Sequence, residues 1–173
     1  VMPILGSFVL GNYALSLQII GVMMIITSIL FKYMVPEEAS GRSIKQIQKI
    51  LIVTSIGLTL VGLFIVPNIV PIIFPEYLDS VESIRIMSLA IIPMSIVQIY
   101  TSKFLALEKS KFIIISLIIS LSVLTPTMII FGQLYGVSGI AASFVISTII
   151  QSTYFFIANK KWNKAKQENI EKE

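Results

Sequence analysis

The sequence predicts an all-α fold: a polytopic integral membrane helix bundle with about five transmembrane helices in a single membrane domain. Three observations carry that prediction. Hydrophobic residues make up 55% of the 173, and mean hydropathy is +0.91. Charged residues make up only 13%, against roughly 25% in soluble domains. The charges are also clustered, with none in 1–31, 50–75, 86–102 or 112–159. A helix rises about 1.5 Å per residue, so roughly 20 apolar residues cross the hydrocarbon core. The first three tracts hold about one crossing each, and the last, 48 residues long, holds two.

Each element follows from these tracts. The first helix is predicted over 11–35, with Lys32 near enough to its end to snorkel and Pro36 stopping it. Met2 to Leu10 is apolar but interrupted by Pro3 and Gly6, and reads as the end of an earlier element. A polar loop follows, in which Ile44, Ile47 and Leu51 form an amphipathic lead-in to the second helix, 47–66. Pro67, Pro71 and Pro75 should then break or kink the helix and bend the chain near the membrane surface. The third helix is predicted over 81–107, with Asp79 and Glu82 spaced as a capping box and Pro93 as a kink. The short turn LEKSK makes helices three and four antiparallel neighbours. Helix four spans 112–131, interrupted by Pro126, and helix five spans 139–160 after the uncharged turn GQLYGVSG. The polar tail 161–173 should be helical at first and fray later.

Charge fixes the threading. Lys32, Arg42, Lys45, Lys49, Lys103, Lys109, Lys111, Lys160, Lys161, Lys164, Lys166 and Lys172 fall on one side of the proposed bundle. Arg85 falls alone on the other, beside Glu76, Asp79 and Glu82. Positive loops stay cytoplasmic, so the expected location is the cytoplasmic membrane with the C-terminus inside and Val1 outside. Val1-Met2-Pro3 lacks the basic start of a signal peptide, and the chain reads as a piece of a longer protein with at least one upstream helix.

The same composition excludes whole classes of chemistry. The net charge of +4 sits at helix ends rather than on a continuous basic face, so no nucleic acid is expected as a partner. Cysteine is absent, which removes disulfides, thiolate metal sites and a Cys nucleophile. Histidine is absent too, and with it the commonest general base and metal ligand. No charged side chain stands inside the apolar tracts, where such groups mark proton relays and ion sites. No catalytic, cofactor-binding or metal-ligating residue is predicted. Glu76, Asp79 and Glu82 are read as capping and topology rather than a metal site, and the tail lysines as topological anchors, with anionic headgroups as the alternative.

What remains is polar but neutral. Asn12, Gln18, Gln98 and Gln151 need partners away from lipid, either on neighbouring helices or in a wet cavity, and interhelical bonding is the plainer reading. Gly139, Ser143, Ser147 and Gln151 recur every four residues along one face of helix five, which permits close helix approach. Ser116 and Ser120 form a shorter patch on helix four.

Several stretches are similar to a known family. LGNYALSLQIIGVM followed by MVPEEAS resembles the segment of Wzx-type polysaccharide flippases in which a Gly-x-Tyr helix ends in a proline and a polar loop. The resemblance is closer around Phe74 to Tyr77, Ile86 to Ala90, Pro93 and the turn Leu105 to Ser110. YGVSGIAASFVIS resembles that family's entry into the last helix of the second lobe. The resemblance covers nearly the whole chain. It implies a MATE-like fold of two six-helix lobes around a cavity that opens alternately to each side, this chain supplying about five helices of the C-terminal lobe. It also implies transport of lipid-linked oligosaccharide from the inner to the outer leaflet for polysaccharide biosynthesis. The implied partners are membrane lipids, the lipid-linked glycan and the missing N-terminal lobe. Relatives carry cationic residues in the cavity, and none stands within the helices here. A multidrug or ion antiporter of the same superfamily, a polytopic enzyme of glycan assembly and a membrane scaffold are the rival classes. The enzyme reading lacks a carboxylate-bearing loop or domain at the membrane face; the chain is not expected to be an enzyme.

Overall fold

The computed structural model describes the backbone of residues 7–170 and the side chains of 9–164 and 167. Among the described residues all regular structure is helical. In chain order it comprises α1 (Ser7–Met23), α2 (Ile25–Ala39), α3 (Lys45–Leu60), a π turn (Val61–Ile65), α4 (Val66–Ile73), a 3₁₀ turn (Pro75–Tyr77), α5 (Ser80–Ser88), α6 (Ile91–Ala106) and α7 (Ser110–Ile170). Two helical runs, Lys45–Ile73 and Ser110–Lys164, are each long and apolar enough to cross a membrane. α1 with α2, and α5 with α6, pass the same test as bent pairs, giving two to four candidate spans by length and composition. An all-helical, membrane-embedded protein is the plain consequence.

The first predicted helix is longer and jointed. It begins at Ser7, bends by 49° at Met24 and runs on through Pro36 to Ala39. Pro36 does not stop it: the proline forgoes its own amide bond to the Lys32 carbonyl, yet helical backbone runs on past it and the Pro36 carbonyl still accepts from the Ser40 amide and hydroxyl. The chain turns instead at Gly41, at φ 73°, a left-handed value that glycine adopts without steric cost.

The second helix likewise outruns its predicted end. Pro67 cannot donate to the carbonyl four residues back, and the helix absorbs this by widening into the π turn, where the Val66 amide reaches the Val61 carbonyl. Helical backbone then continues to Ile73, with Pro71 inside it, so the expected break is a change of pitch. The amphipathic lead-in is present as read: Ile44 and Leu51 are buried with Met34, and Ile47 packs against them.

Pro93 acts as predicted. The chain bends by 44° between α5 and α6, just where the Leu89 carbonyl loses its usual donor. The capping box does not form. Asp79 sits at φ −68°, ψ −17° and makes no side-chain cap bond, while Ser80 Oγ donates to the Tyr77 carbonyl at 2.6 Å. A helical Asp79 cannot aim its carboxylate at the first-turn amides as an extended N-cap residue does.

Helices four and five are one helical run interrupted only at Gly136, whose φ of 58° and ψ of −132° lie outside helical space. Contacts show that the run doubles back there. Phe112 meets Trp162, Ser116 meets Gln151, and a β-carbon on Gly139 would fall 1.9 Å from the Phe131 carbonyl oxygen. The arms 110–135 and 137–170 are therefore antiparallel, and the predicted eight-residue turn shrinks to a single glycine. Helical backbone continues through Pro126 rather than breaking, and covers the tail as far as Ile170. Residues 1–6 and 171–173 lie outside the described ones.

The core has three parts. The largest joins α1, α5, α6 and the second arm of α7 through Tyr13, Ile20, Met23, Met24, Met87, Ile91, Val137, Ile140 and Ala141. Gly62 of the π turn lets this packing close, because a β-carbon there would sit 2.1 Å from Ser88 Oγ. At one end of the bundle Phe104, Phe155 and Phe112 stack, with centroids 4.8 and 5.8 Å apart along the series through Phe104. That end also holds the described lysines and Arg42, while Glu76, Asp79, Glu82 and Arg85 lie toward the Gly136 end.

Candidate functional site: a neutral cleft between α6 and the α7 arms

Placing a hydroxyl in an apolar helix creates a donor that must be satisfied. Here most are satisfied locally. Ser16, Ser88, Ser95 and Ser143 each donate to the carbonyl four residues back, and Ser55, Ser116 and Ser147 to the one three back. Such back-bonding lets small polar residues sit at helix contacts without a ligand. Ser143 and Ser147 are buried, as are Gly139 and Gln151, so the four-residue stripe of the last helix faces the protein interior.

Amide side chains reach farther than hydroxyls and can bond across to another element. Gln151 Nε2 donates to Ser116 Oγ on the opposite arm at 3.4 Å. Gln98 Oε1 is buried and accepts no hydrogen bond, and Ser83 Oγ within α5 is buried and neither donates nor accepts one. Gln98 and Gln151 both line a cleft of about 240 Å³ together with Ser120, Ser147, Thr148 and the apolar Met94, Val97, Leu124 and Phe144. Two of the four amides predicted from sequence are thus brought together, along with Ser147. Asn12 is buried elsewhere, in α1, and Gln18 lies on the exposed face of that helix. Pro93 is buried at the start of α6, and Pro126 is exposed on the first arm.

Thr148 and Phe144 were not singled out by sequence. Their membership depends on the cross-helix register of α6 against both arms, which no single helix periodicity contains. The cleft offers hydrogen-bond donors and acceptors but no titratable side chain, so it can bind and orient a neutral polar group and cannot move a proton. Among the described residues no group of three or more acidic, His or Cys side chains is placed to hold a metal ion.

A second polar assembly lies at the basic end. Ser102 Oγ donates to Glu38 Oε2 at 3.0 Å, and Lys103 Nζ donates to Asn159 Oδ1 at 2.6 Å and more weakly to Asn163 Oδ1 at 3.4 Å. Glu38 lies in the polar end of α2, past the apolar tract. Burial pushes its carboxyl above the usual range, while the Ser102 hydroxyl and the Lys103 charge pull it back. Toward the opposite end, Asp79 and Glu82 line a shallow pocket of about 320 Å³ with Val9, Tyr135, Gly136, Val137 and Ser138.

Comparison of the chain with family models, with curated proteins and with solved structures found no match to any of the three.

Proposed function

We propose that this chain is part of the C-terminal lobe of a MATE-like transporter that moves lipid-linked oligosaccharide from the inner to the outer leaflet of the cytoplasmic membrane. The observation that carries the reading is a neutral cleft of amides and hydroxyls between jointed helices. Such a surface can slide along glycan hydroxyls without trapping charge in the membrane, and the bends at Met24 and Leu89–Ala90 provide joints at which helices reorient. The resemblance around Phe74 to Tyr77 and Leu105 to Ser110 supports the same assignment.

Five crossings are the count this reading uses: α1–α2, α3–α4, α5–α6 and the two arms of α7. The reversal at Gly136 favours counting the long run twice. The gathering of lysines at one end supports a cytoplasmic C-terminus. The lobe packs against a six-helix N-terminal lobe, and neither binding nor transport requires this segment to be an enzyme or to hold a cofactor.

Two experiments test this. A strain lacking the full-length gene should accumulate lipid-linked glycan on the inner leaflet, and the gene should restore export. Export unaffected by the deletion would reject the transport assignment. For threading, this chain carries no cysteine of its own, so cysteines can be introduced into it one at a time. An impermeant thiol reagent on intact cells should label Ser138→Cys and spare Ser40→Cys; the reverse pattern would invert the topology.

A further inference from the structure

The last helix has two unlike faces at its basic end. One is consumed by the protein: Phe155 and Ala158 are buried, Asn159 and Asn163 accept from Lys103, and Trp162 packs on Phe112 beneath the Lys109 ammonium, 5.2 Å from the ring. The other carries Phe156, Ile157, Lys160, Lys161 and Lys164, spaced so that all five share one side of the helix. These five line a single groove of about 400 Å³. Phe156 is 61% exposed and Ile157 49% exposed, an aromatic and a branched side chain open beside a row of ammonium groups.

We propose that this groove binds one anionic phospholipid of the leaflet at the basic end. The order of residues along the helix is the order of groups along a lipid. Phe156 and Ile157 come first, on the side of the apolar tract, and offer a surface for an acyl chain. Lys160 and Lys161 follow one turn later, where a phosphate would sit, and among the described residues no acid lines the groove. Among the described acids of this end, Glu37 pairs with Arg42, Glu38 accepts from Ser102, and Glu108 lies in the turn before α7. Charge complementarity selects an anionic headgroup over a zwitterionic one, whose own cation competes with the lysines. The apolar pair selects a lipid over a soluble anion, which has nothing to place against Phe156. The proposal rests on the chain being membrane-embedded, and on neither its orientation nor its transport role.

The full chain in nanodiscs of mixed phosphatidylglycerol and phosphatidylcholine tests it, with retained lipid counted by native mass spectrometry. Phosphatidylglycerol should be enriched on the protein. Lys160→Gln with Lys161→Gln should reduce that preference on the order of tenfold, and the paired Arg substitutions should preserve it. Lys45→Gln with Lys49→Gln, exposed lysines of the same end, should leave it unchanged. Phe156→Ala should weaken retention of the lipid, and inorganic phosphate should not displace it. Equal retention of both lipids, an equal loss in the Lys45 and Lys49 pair, or displacement by phosphate would each overturn the site. Because both leaflets of the disc are alike, such a failure would leave the topology and transport readings to their own tests.

Discussion

The two ends of the bundle are held together by different physics. At the Gly136 end, helices meet through the absence of a side chain: Gly139 lies against the Phe131 carbonyl. At the basic end, helices meet through large or charged groups: the Phe104–Phe112–Phe155 stack, Lys103 on Asn159, and Ser102 on Glu38. The difference follows from solvent. Within lipid, association gains little from apolar transfer and depends on close packing, which small residues allow. Near the headgroups, water and counter-charges make ionic and hydrogen-bonded ties tolerable. One end should therefore fail sterically and without regard to pH, and the other gradually and with it.

The largest effect should come from Gly139→Ala. The added carbon would lie 1.9 Å from Phe131 O and 2.5 Å from Phe131 C, both backbone atoms that cannot rotate away. Parting the arms should cost about 3 kcal/mol, read as a fall in thermal unfolding midpoint in detergent that is the same at pH 5 and pH 8. Phe155→Ala should follow. Its side chain is fully buried and stacks on Phe104, but an unfolded-state phenylalanine surrounded by lipid or detergent is not in water. The loss should therefore be about 2 kcal/mol, below the 3–5 usual in aqueous cores. A larger loss for Phe155→Ala than for Gly139→Ala would contradict the contrast between the ends. Lys103→Met removes a charged donor that is only half-buried, and should cost about 1 kcal/mol, diminishing further in high salt.

How much of this was legible beforehand depended on whether the information was local. The uncharged tracts marked the helices because the cost of burying charge is paid residue by residue. The stripe from Gly139 to Gln151 was readable because its period is that of a single helix. Proline was read with less success, since its effect depends on position. Pro93, in the first turn of α6, marks a true bend, whereas Pro36 sits inside a helix that runs on past it to Ala39, and Pro67 is absorbed by a π turn. The Asp79–Glu82 spacing was sound as a pattern, yet the backbone at Asp79 is helical and the carboxylate makes no cap bond. In the site, Gln98 and Gln151 were flagged by type, and Gln18 by the same rule, but only the packing of α6 on the arms separates the first two from the third. The Ser102–Glu38 tie spans 64 residues and had no signal in any helix period.

That tie gives the smallest effect and the sharpest test of the basic end. Burial raises the Glu38 carboxyl above its ordinary value near 4.5, so the folded chain holds this proton more tightly than the unfolded one. A folded state that binds more protons loses stability as pH rises. The contribution is therefore present below the ordinary carboxyl range and is lost between there and the raised value. Glu38→Gln, a permanent mimic of the protonated form, should flatten this part of the stability profile. Ser102→Ala should move it in the other direction: removing the hydroxyl that favours the carboxylate raises the Glu38 pKa further, and the loss on raising pH should then extend to higher pH. The measurement is unfolding in detergent from pH 4 to pH 8 for the three chains. If Ser102→Ala shifted the profile downward, or if the Gln variant kept the full slope, Glu38 would not be held by Ser102 in a desolvated setting. The basic end would then be joined by its aromatic stack and by Lys103, and the contrast with the glycine-packed end would rest on those contacts alone.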